Sequence, residues 1–246
     1  MKQQIWIEEY KISSYLVNLR GHAGLYAILN IIQDVGWLHA INMKVRLEKH
    51  LGWVFTRQKL VMFEWPKWNQ VISLRTWLRP PAGNFLMRDY EIYIGDKKIG
   101  ECTSTFSVMD MQTRKLAVMD WNAYGAVWLE DGLLEHMPAK IQPLSETLDL
   151  AQFEVRNSDI DLNNHVNNTK YAQWILDSIP FETLRAGAEL KSYEVNFLAE
   201  TKLSDTVKVQ KGLHDAQDGT MSVIHFQGLR AADLKPVFTA ELRVLA

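Results

Sequence analysis

Taken as a pattern of apolar and polar positions, the chain runs through one order of elements twice. Gln4–Leu19 alternates in places and predicts a strand, broken at Arg20-Gly21. From His22 to Ala40 the residues Leu25, Ile28, Leu29, Ile32, Val35 and Trp37 recur at near-helical spacing and predict an amphipathic helix. After a charged connection at Lys44–His50 come three runs rich in Val, Ile, Phe, Tyr and Trp: Trp53–Phe63, Gln70–Arg79 and Asn84–Ile94. That composition suits strands. Pro66 and Pro80-Pro81-Ala82-Gly83 separate them, and Gly95-Asp96-Lys97-Lys98 predicts a hairpin turn into a further strand, Ile99–Asp110. Met111–Lys115 reads as another turn.

From about residue 120 to 148 the regularity is lost, and Gly125, Gly132, Pro138 and Pro143 mark a connection. The order then resumes. Phe153–Arg156 leads into the polar loop DLNNHVNNTKY (161–171). A helix is expected over Thr169–Ser178, with Tyr171, Trp174 and Ile175 on one face and Pro180 beyond its end. Strands are expected at Leu190–Leu198, Thr206–Leu213, Met221–Arg230 and Pro236–Leu245, with turns at Asp218-Gly219 and Ala231–Lys235. The fold class expected is α+β: two tandem units, each a helix wrapped by an antiparallel sheet. Packed as a pseudo-dimer, two such units would bury the edges that one leaves open. The boundaries expected are an N-terminal unit over 1–125, a linker over 126–148 and a C-terminal unit over 149–246.

The 246 residues, 47% hydrophobic and 23% charged, lie close to the globular average. A net charge of −2 gives no reason to expect general binding to nucleic acid or to a membrane surface. The single cysteine, Cys102, excludes an intramolecular disulfide framework and fits a reducing cytoplasm. MKQQIWIEEYKISSY has no apolar core of a secretory signal, and no uncharged run approaches membrane-spanning length. Nine Trp, nine Phe and eight Tyr would fill a core or line an apolar tunnel, and composition alone favours the core.

Neither G-x-S-x-G, a P-loop, G-x-G-x-x-G nor H-E-x-x-H occurs, and one Cys with scattered His makes no structural zinc site. Neither a metal nor a cofactor is expected. Cys102 lies inside a predicted strand and reads as a small buried residue rather than a nucleophile. The loop before the second helix is different. Asn167 or Asn168 would cap the helix. Capping leaves unexplained why Asp161, Asn163 and His165 recur at every second position. In an extended segment those three would project to one side, beside the partial positive charge of a helix start. An orienting carboxylate, an amide donor and a titratable base in one place suit acid–base chemistry. The first repeat has Leu19-Arg20-Gly21-His22-Ala23-Gly24 at this point, without a carboxylate, and His22 alone reads as a surface or capping residue.

The segment NSDIDLNNHVNNTKYAQWILDSIP (157–180) resembles the signature of the acyl-acyl-carrier-protein thioesterases, plant plastid and bacterial. WVFTRQKLVMFEWPKWNQVISLRTWLRPPAGNFLMRDYEI (53–92) is similar to their N-terminal unit, and the likeness runs from about residue 4 to the end. The resemblance implies two hotdog units, the first binding the acyl chain and the second catalytic. It implies hydrolysis of fatty acyl thioesters on acyl carrier protein, releasing fatty acid and ending fatty acid synthesis. Asp161, Asn163 and His165 fall on the family's catalytic loop. Its further carboxylate, in a Glu-Cys pair, is best matched by Glu200 followed by Thr201, with Glu194 the fallback as an otherwise exposed strand residue. Loss of the Cys favours direct attack by water. The thioester carbonyl is then expected near the amides of Val166–Asn168, with Leu25, Ile28, Leu29 and Ile32 lining an acyl tunnel. The acidic carrier protein would dock on a basic face. Lys170, Lys191 and Lys202 lie near the site, and a solvated face explains each equally well. An acyl-CoA thioesterase and a non-catalytic acyl-binding hotdog protein are the alternatives. Homodimerisation is left open.

Overall fold

A computed structural model describes residues 4–45, 47–121, 125–186 and 188–245. The chain divides into two compact units, Met1–Pro138 and Ala139–Ala246.

In the first unit, strand β1 (Trp6–Lys11) is followed by helix α1 (Leu25–Met43) and strands β2 (Leu51–Met62), β3 (Val71–Leu78), β4 (Leu86–Ile94) and β5 (Lys97–Asp110), with the short β6 (Lys115–Leu116) beside β5. The strands pair antiparallel in the order β1-β3-β4-β5-β2. Helix α1 lies over β1 and β3 and buries Ile28, Leu29, Ile32 and Val35. Two sequence expectations shift. The first strand stops at Lys11, where a 3-10 turn over Ser14–Leu16 begins. The helix starts at Leu25, because Gly24 before it is extended (φ −74°, ψ 158°), and the amides of Ala23 and Gly24 bond Pro66 and Leu16 outside it. Trp37 is 51% exposed. At 3.6 residues per turn it lies half a turn round from Ile28, and His39 fills the buried position instead.

In the second unit come β7 (Thr147–Glu154), α2 (Asn168–Ser178), the short α3 (Phe181–Ala186), β8 (Glu189–Phe197), β9 (Thr206–Gly212), β10 (Ala216–Asp218), β11 (Met221–Arg230) and β12 (Pro236–Leu245). The strand order is β7-β9-β11-β12-β8, with β10 against β11. Leaving out β6 and β10, both units place their first, third, fourth, fifth and second strands side by side. On α2, Tyr171 packs edge-on to Phe197 and Phe238, and Trp174 stacks on Phe153 of β7. Where the sequence predicts only a short lead-in at Phe153–Arg156 stands strand β7; its mixed polarity reflects a place at the sheet edge, with a register shift between Asp149 and Ala151.

The stretch expected to be a plain connection is strapped to the sheets by side chains. In the first unit Trp77 donates to the Gly132 carbonyl, and Arg79 donates to the Leu134 carbonyl. Asp89, wholly buried, accepts from Arg79 at 2.6 Å, Thr103 at 2.7 Å and the Leu134 amide at 3.3 Å. His136 pairs with Glu101. In the second unit the Ala139 amide donates to the Glu194 carboxylate, Asn196 bonds both Ile141 and Ala139, and Gln227 does the same for Leu144. These buried polar side chains satisfy backbone groups that would otherwise be orphaned.

Candidate active site

The site is built on the turn that feeds α2. Ile160 and Val166 form an antiparallel bridge, and the five residues between them close a tight loop. The Asp161 amide donates to the His165 carbonyl (2.8 Å), and the Asn164 amide to the Asp161 carbonyl (3.0 Å). Asn164 takes the left-handed conformation, φ 61°, which Asn tolerates better than most residues. The Asp161 carboxylate sits inside the turn. Its Oδ1 accepts from the amides of Asn163 (2.8 Å) and His165 (3.4 Å), and its Oδ2 from the Asn163 side chain (3.4 Å). The three residues are therefore gathered by a turn around one carboxylate and not, as expected, by the alternation of an extended strand. Such Asx turns are a short-range habit of Asp and Asn.

Glu200 meets this turn from the loop after β8. His165 Nε2 and Glu200 Oε2 are 3.6 Å apart, with side chains 29% and 31% exposed, so the pair is open to solvent on one side. Asn163 is exposed at the turn, and the Glu200 carbonyl is held by Arg230 at 3.1 Å. Asn167 is the cap of α2, accepting from the Thr169 amide at 3.0 Å.

The amides expected to face the substrate are mostly engaged. Val166 N donates to the Thr201 carbonyl and Asn167 N to the Asp159 carbonyl, leaving Asn168 as the free amide of the three among the described residues. Glu194 does not join the cluster and is not an exposed strand residue. It is 4% exposed, on the sheet face that receives the Ala139 amide. Of the three lysines, Lys170 pairs with Asp159 and Lys191 with Glu189, while Lys202 is exposed.

The first unit carries a counterpart that the sequence reading missed. The Asn18 amide donates to the His22 carbonyl (2.7 Å), and Asn18 Oδ1 accepts from the amides of Arg20 (2.9 Å) and His22 (3.3 Å). Gly21 takes the left-handed position at φ 73°. Ala23 N donates to the Pro66 carbonyl, as Val166 N does to Thr201. The turn is thus the same, with Asn18 for Asp161, Arg20 for Asn163, His22 for His165 and Trp65 for Glu200. The shared signal, Asn or Asp followed by Leu and, four residues on, His, becomes visible once 17–24 is set against 160–167. The carboxylates occur only in the second unit.

Each unit, a helix laid on a five-stranded antiparallel sheet, has the hotdog type of α+β architecture. Residues 3–124 match the model of the acyl-ACP thioesterase N-terminal domain and residues 143–234 that of the acyl-ACP thioesterase C-terminal domain. The chain belongs to the acyl-ACP thioesterase family. An oleoyl-acyl carrier protein thioesterase of Coriandrum sativum is 26% identical over 223 residues, covering 81% of this chain and 60% of that protein. The chain thus spans about three fifths of the length of this plant relative. Two solved structures share the fold: an acyl-ACP thioesterase from Bacteroides thetaiotaomicron (TM-score 0.84, 20% identity, 98% of both chains) and a 12:0-ACP thioesterase from Umbellularia californica (TM-score 0.86, 18% identity, 99% of this chain and 95% of that one).

Proposed function

We propose that this protein hydrolyses the thioester of a fatty acyl-acyl carrier protein, releasing the free fatty acid. The observation that carries this reading is the 3.6 Å approach of His165 to Glu200 beside the start of α2, in the unit whose turn also holds Asp161 and Asn163. The Glu200 carboxylate, with His165, takes a proton from water as the water oxygen bonds to the carbonyl carbon. Asn163 positions that water or the substrate, and the Asn168 amide is the donor available to the developing oxyanion. Collapse of the tetrahedral intermediate breaks the C–S bond, and the proton passes to the leaving sulfur. Asp161 shapes the turn that presents Asn163 and His165. Position 201 supplies no nucleophile, since Thr201 is 1% exposed.

The division of labour follows the same asymmetry. The first unit, lacking the carboxylates, is proposed to receive the acyl chain, with Leu25, Ile28, Leu29 and Ile32 of α1 among its lining. The two units are proposed to pair as hotdog protomers do, and the carrier protein to be the docking partner. Cytoplasmic location rests on the single Cys.

The test is thiol release from oleoyl-, hexadecanoyl- and dodecanoyl-acyl carrier protein, compared with the matching acyl-CoA. Turnover of the carrier-protein thioesters is expected, with a loss of at least roughly a hundredfold in folded His165→Ala. Near-native activity in that variant would refute the assignment, and faster turnover of acyl-CoA would change the substrate.

A further inference from the structure

The place of the Glu200 carboxylate at His165 follows that of the backbone that carries it. That backbone is fixed at each residue. The amides of Leu198 and Ala199 donate to the Val237 carbonyl (2.9 and 3.3 Å), and the Glu200 carbonyl accepts from Arg230. Thr201 is held twice. Its carbonyl accepts from Val166 N at 3.0 Å, and its hydroxyl accepts from the Tyr171 hydroxyl at 3.0 Å. Val166 and Thr201 immediately follow His165 and Glu200, so this cross-link lies one residue along from the pair on both strands of chain. Tyr171 stands in the first turn of α2, 3% exposed and boxed by Trp174, Phe197 and Phe238. Burial pushes its phenol up to about 12, so it stays a hydrogen-bond donor across the working range of pH.

The first unit is an internal control. There the backbone bond is kept, Ala23 N to the Pro66 carbonyl at 2.7 Å, and the matching amides of Phe63 and Glu64 donate to Ile99. The positions of Tyr171 and Thr201 are held by Ile28 and Pro66, which cannot form a side-chain hydrogen bond. The fold of the loop therefore does not need the hydroxyl pair. It occurs only where the neighbouring residue is Glu200 rather than Trp65.

We propose that Thr201, through the Tyr171 hydroxyl, is a positioning residue that holds the Glu200 carboxylate against His165. This rests on the reading of Glu200 as the base. Loss of the side-chain bond lets the loop drift relative to α2, and displacement of a reacting group by about 1 Å can lower turnover by about a hundredfold.

The test uses dodecanoyl-acyl carrier protein thioester and steady-state kinetics on the full chain. Thr201→Val, which keeps the shape and removes the hydroxyl, is expected to lower kcat by roughly ten- to a hundredfold with KM within about twofold. Thr201→Ser is expected to restore activity to within about threefold. Tyr171→Phe, which keeps the ring packing, should match Thr201→Val, and the two together should lose no more than either alone. Adding Thr201→Val to Glu200→Gln should cost nothing further. A folded Thr201→Val or Tyr171→Phe with near-native kcat overturns the proposal while leaving Glu200→Gln inactive. An equal loss in the Glu200→Gln background also overturns it, because the effect then bypasses the carboxylate. Full activity in Glu200→Gln alone would instead remove the catalytic reading on which the proposal rests.

Discussion

The turn in the first unit allows the role of Asp161 to be divided into shape and charge. Asn18 makes the same two backbone contacts that Asp161 makes, at 2.9 and 3.3 Å against 2.8 and 3.4 Å. An amide oxygen is thus a sufficient acceptor for this loop. Asp161→Asn should keep the turn and lose only the longer contact to the Asn163 side chain, since two amide donors would then face each other. Asp161→Ala removes all three acceptor contacts. A hydrogen bond to a charged group is worth about 1.5–3 kcal/mol, and the two 3.4 Å contacts add little, so the turn loses about 2–3 kcal/mol. At 1.4 kcal/mol per decade, that lowers the share of molecules presenting Asn163 and His165 correctly by up to roughly 30- to 150-fold. Two backbone bonds and the Ile160–Val166 bridge remain and set this as the ceiling. Measured as kcat on acyl-carrier-protein thioester, Asp161→Ala is expected to fall by between about ten- and a hundredfold, and Asp161→Asn by less than about tenfold. If folded Asp161→Asn is as inactive as Asp161→Ala, the negative charge itself is required and the shape argument is wrong.

Two further tests concern the strap. Asp89→Ala leaves the buried Arg79 guanidinium, the Thr103 hydroxyl and the Leu134 amide without their acceptor, a loss of about 3–5 kcal/mol. At about 2–4 °C per kcal/mol for a chain of this size, Tm should drop by roughly 6–20 °C, with faster proteolysis between Leu129 and Pro138. A Tm within about 2 °C of the native value would show that the network is dispensable. Burial raises the Glu101 pKa, but hydrogen bonds from Lys98 and His136 outweigh it and hold the carboxyl below its ordinary value. With the folded pKa lowered, this contribution is complete above the usual carboxylate range and lost as pH falls through the lowered value. Acid unfolding of Glu101→Gln should therefore be less steep than native, and identical acid profiles would refute the linkage.

Much of the architecture was legible because amphipathic patterns survive where one face is buried. The strands β2 to β5, β8, β9, β11 and β12 and the buried face of α1 followed from alternation and helical spacing, while the three-residue β10 is too short to leave a pattern. What failed did so for identifiable reasons. Trp37 matched the composition of a core face but not its angle. Strand β7 lies at a sheet edge and alternates poorly. Among site residues, Asp161, Asn163 and His165 were conspicuous as an isolated polar run, but the turn that unites them rests on side-chain-to-backbone bonds, which leave no periodic signal. Glu200 came only from likeness to a family, since a Glu beside a strand end is commonplace. Asn18 is inconspicuous because it acts through the same kind of side-chain-to-backbone bonds and stands without neighbouring polar partners of the Asp161 type.

The strap also reverses a common expectation about where a chain tolerates changes of length. Insertions normally settle in segments without regular structure, because little there depends on register. Here Ala139 and Ile141 meet Glu194 and Asn196, two residues apart on both sides, and Leu144 meets Gln227. One residue added at Lys140 would offset every later pairing and leave carboxamides buried against the wrong backbone atoms. The segment that looks like spacer behaves as a ruler. Exchange of units between relatives would best cut between Pro138 and Ala139, which keeps 129–138 with the strands of the first unit and 139–144 with those of the second.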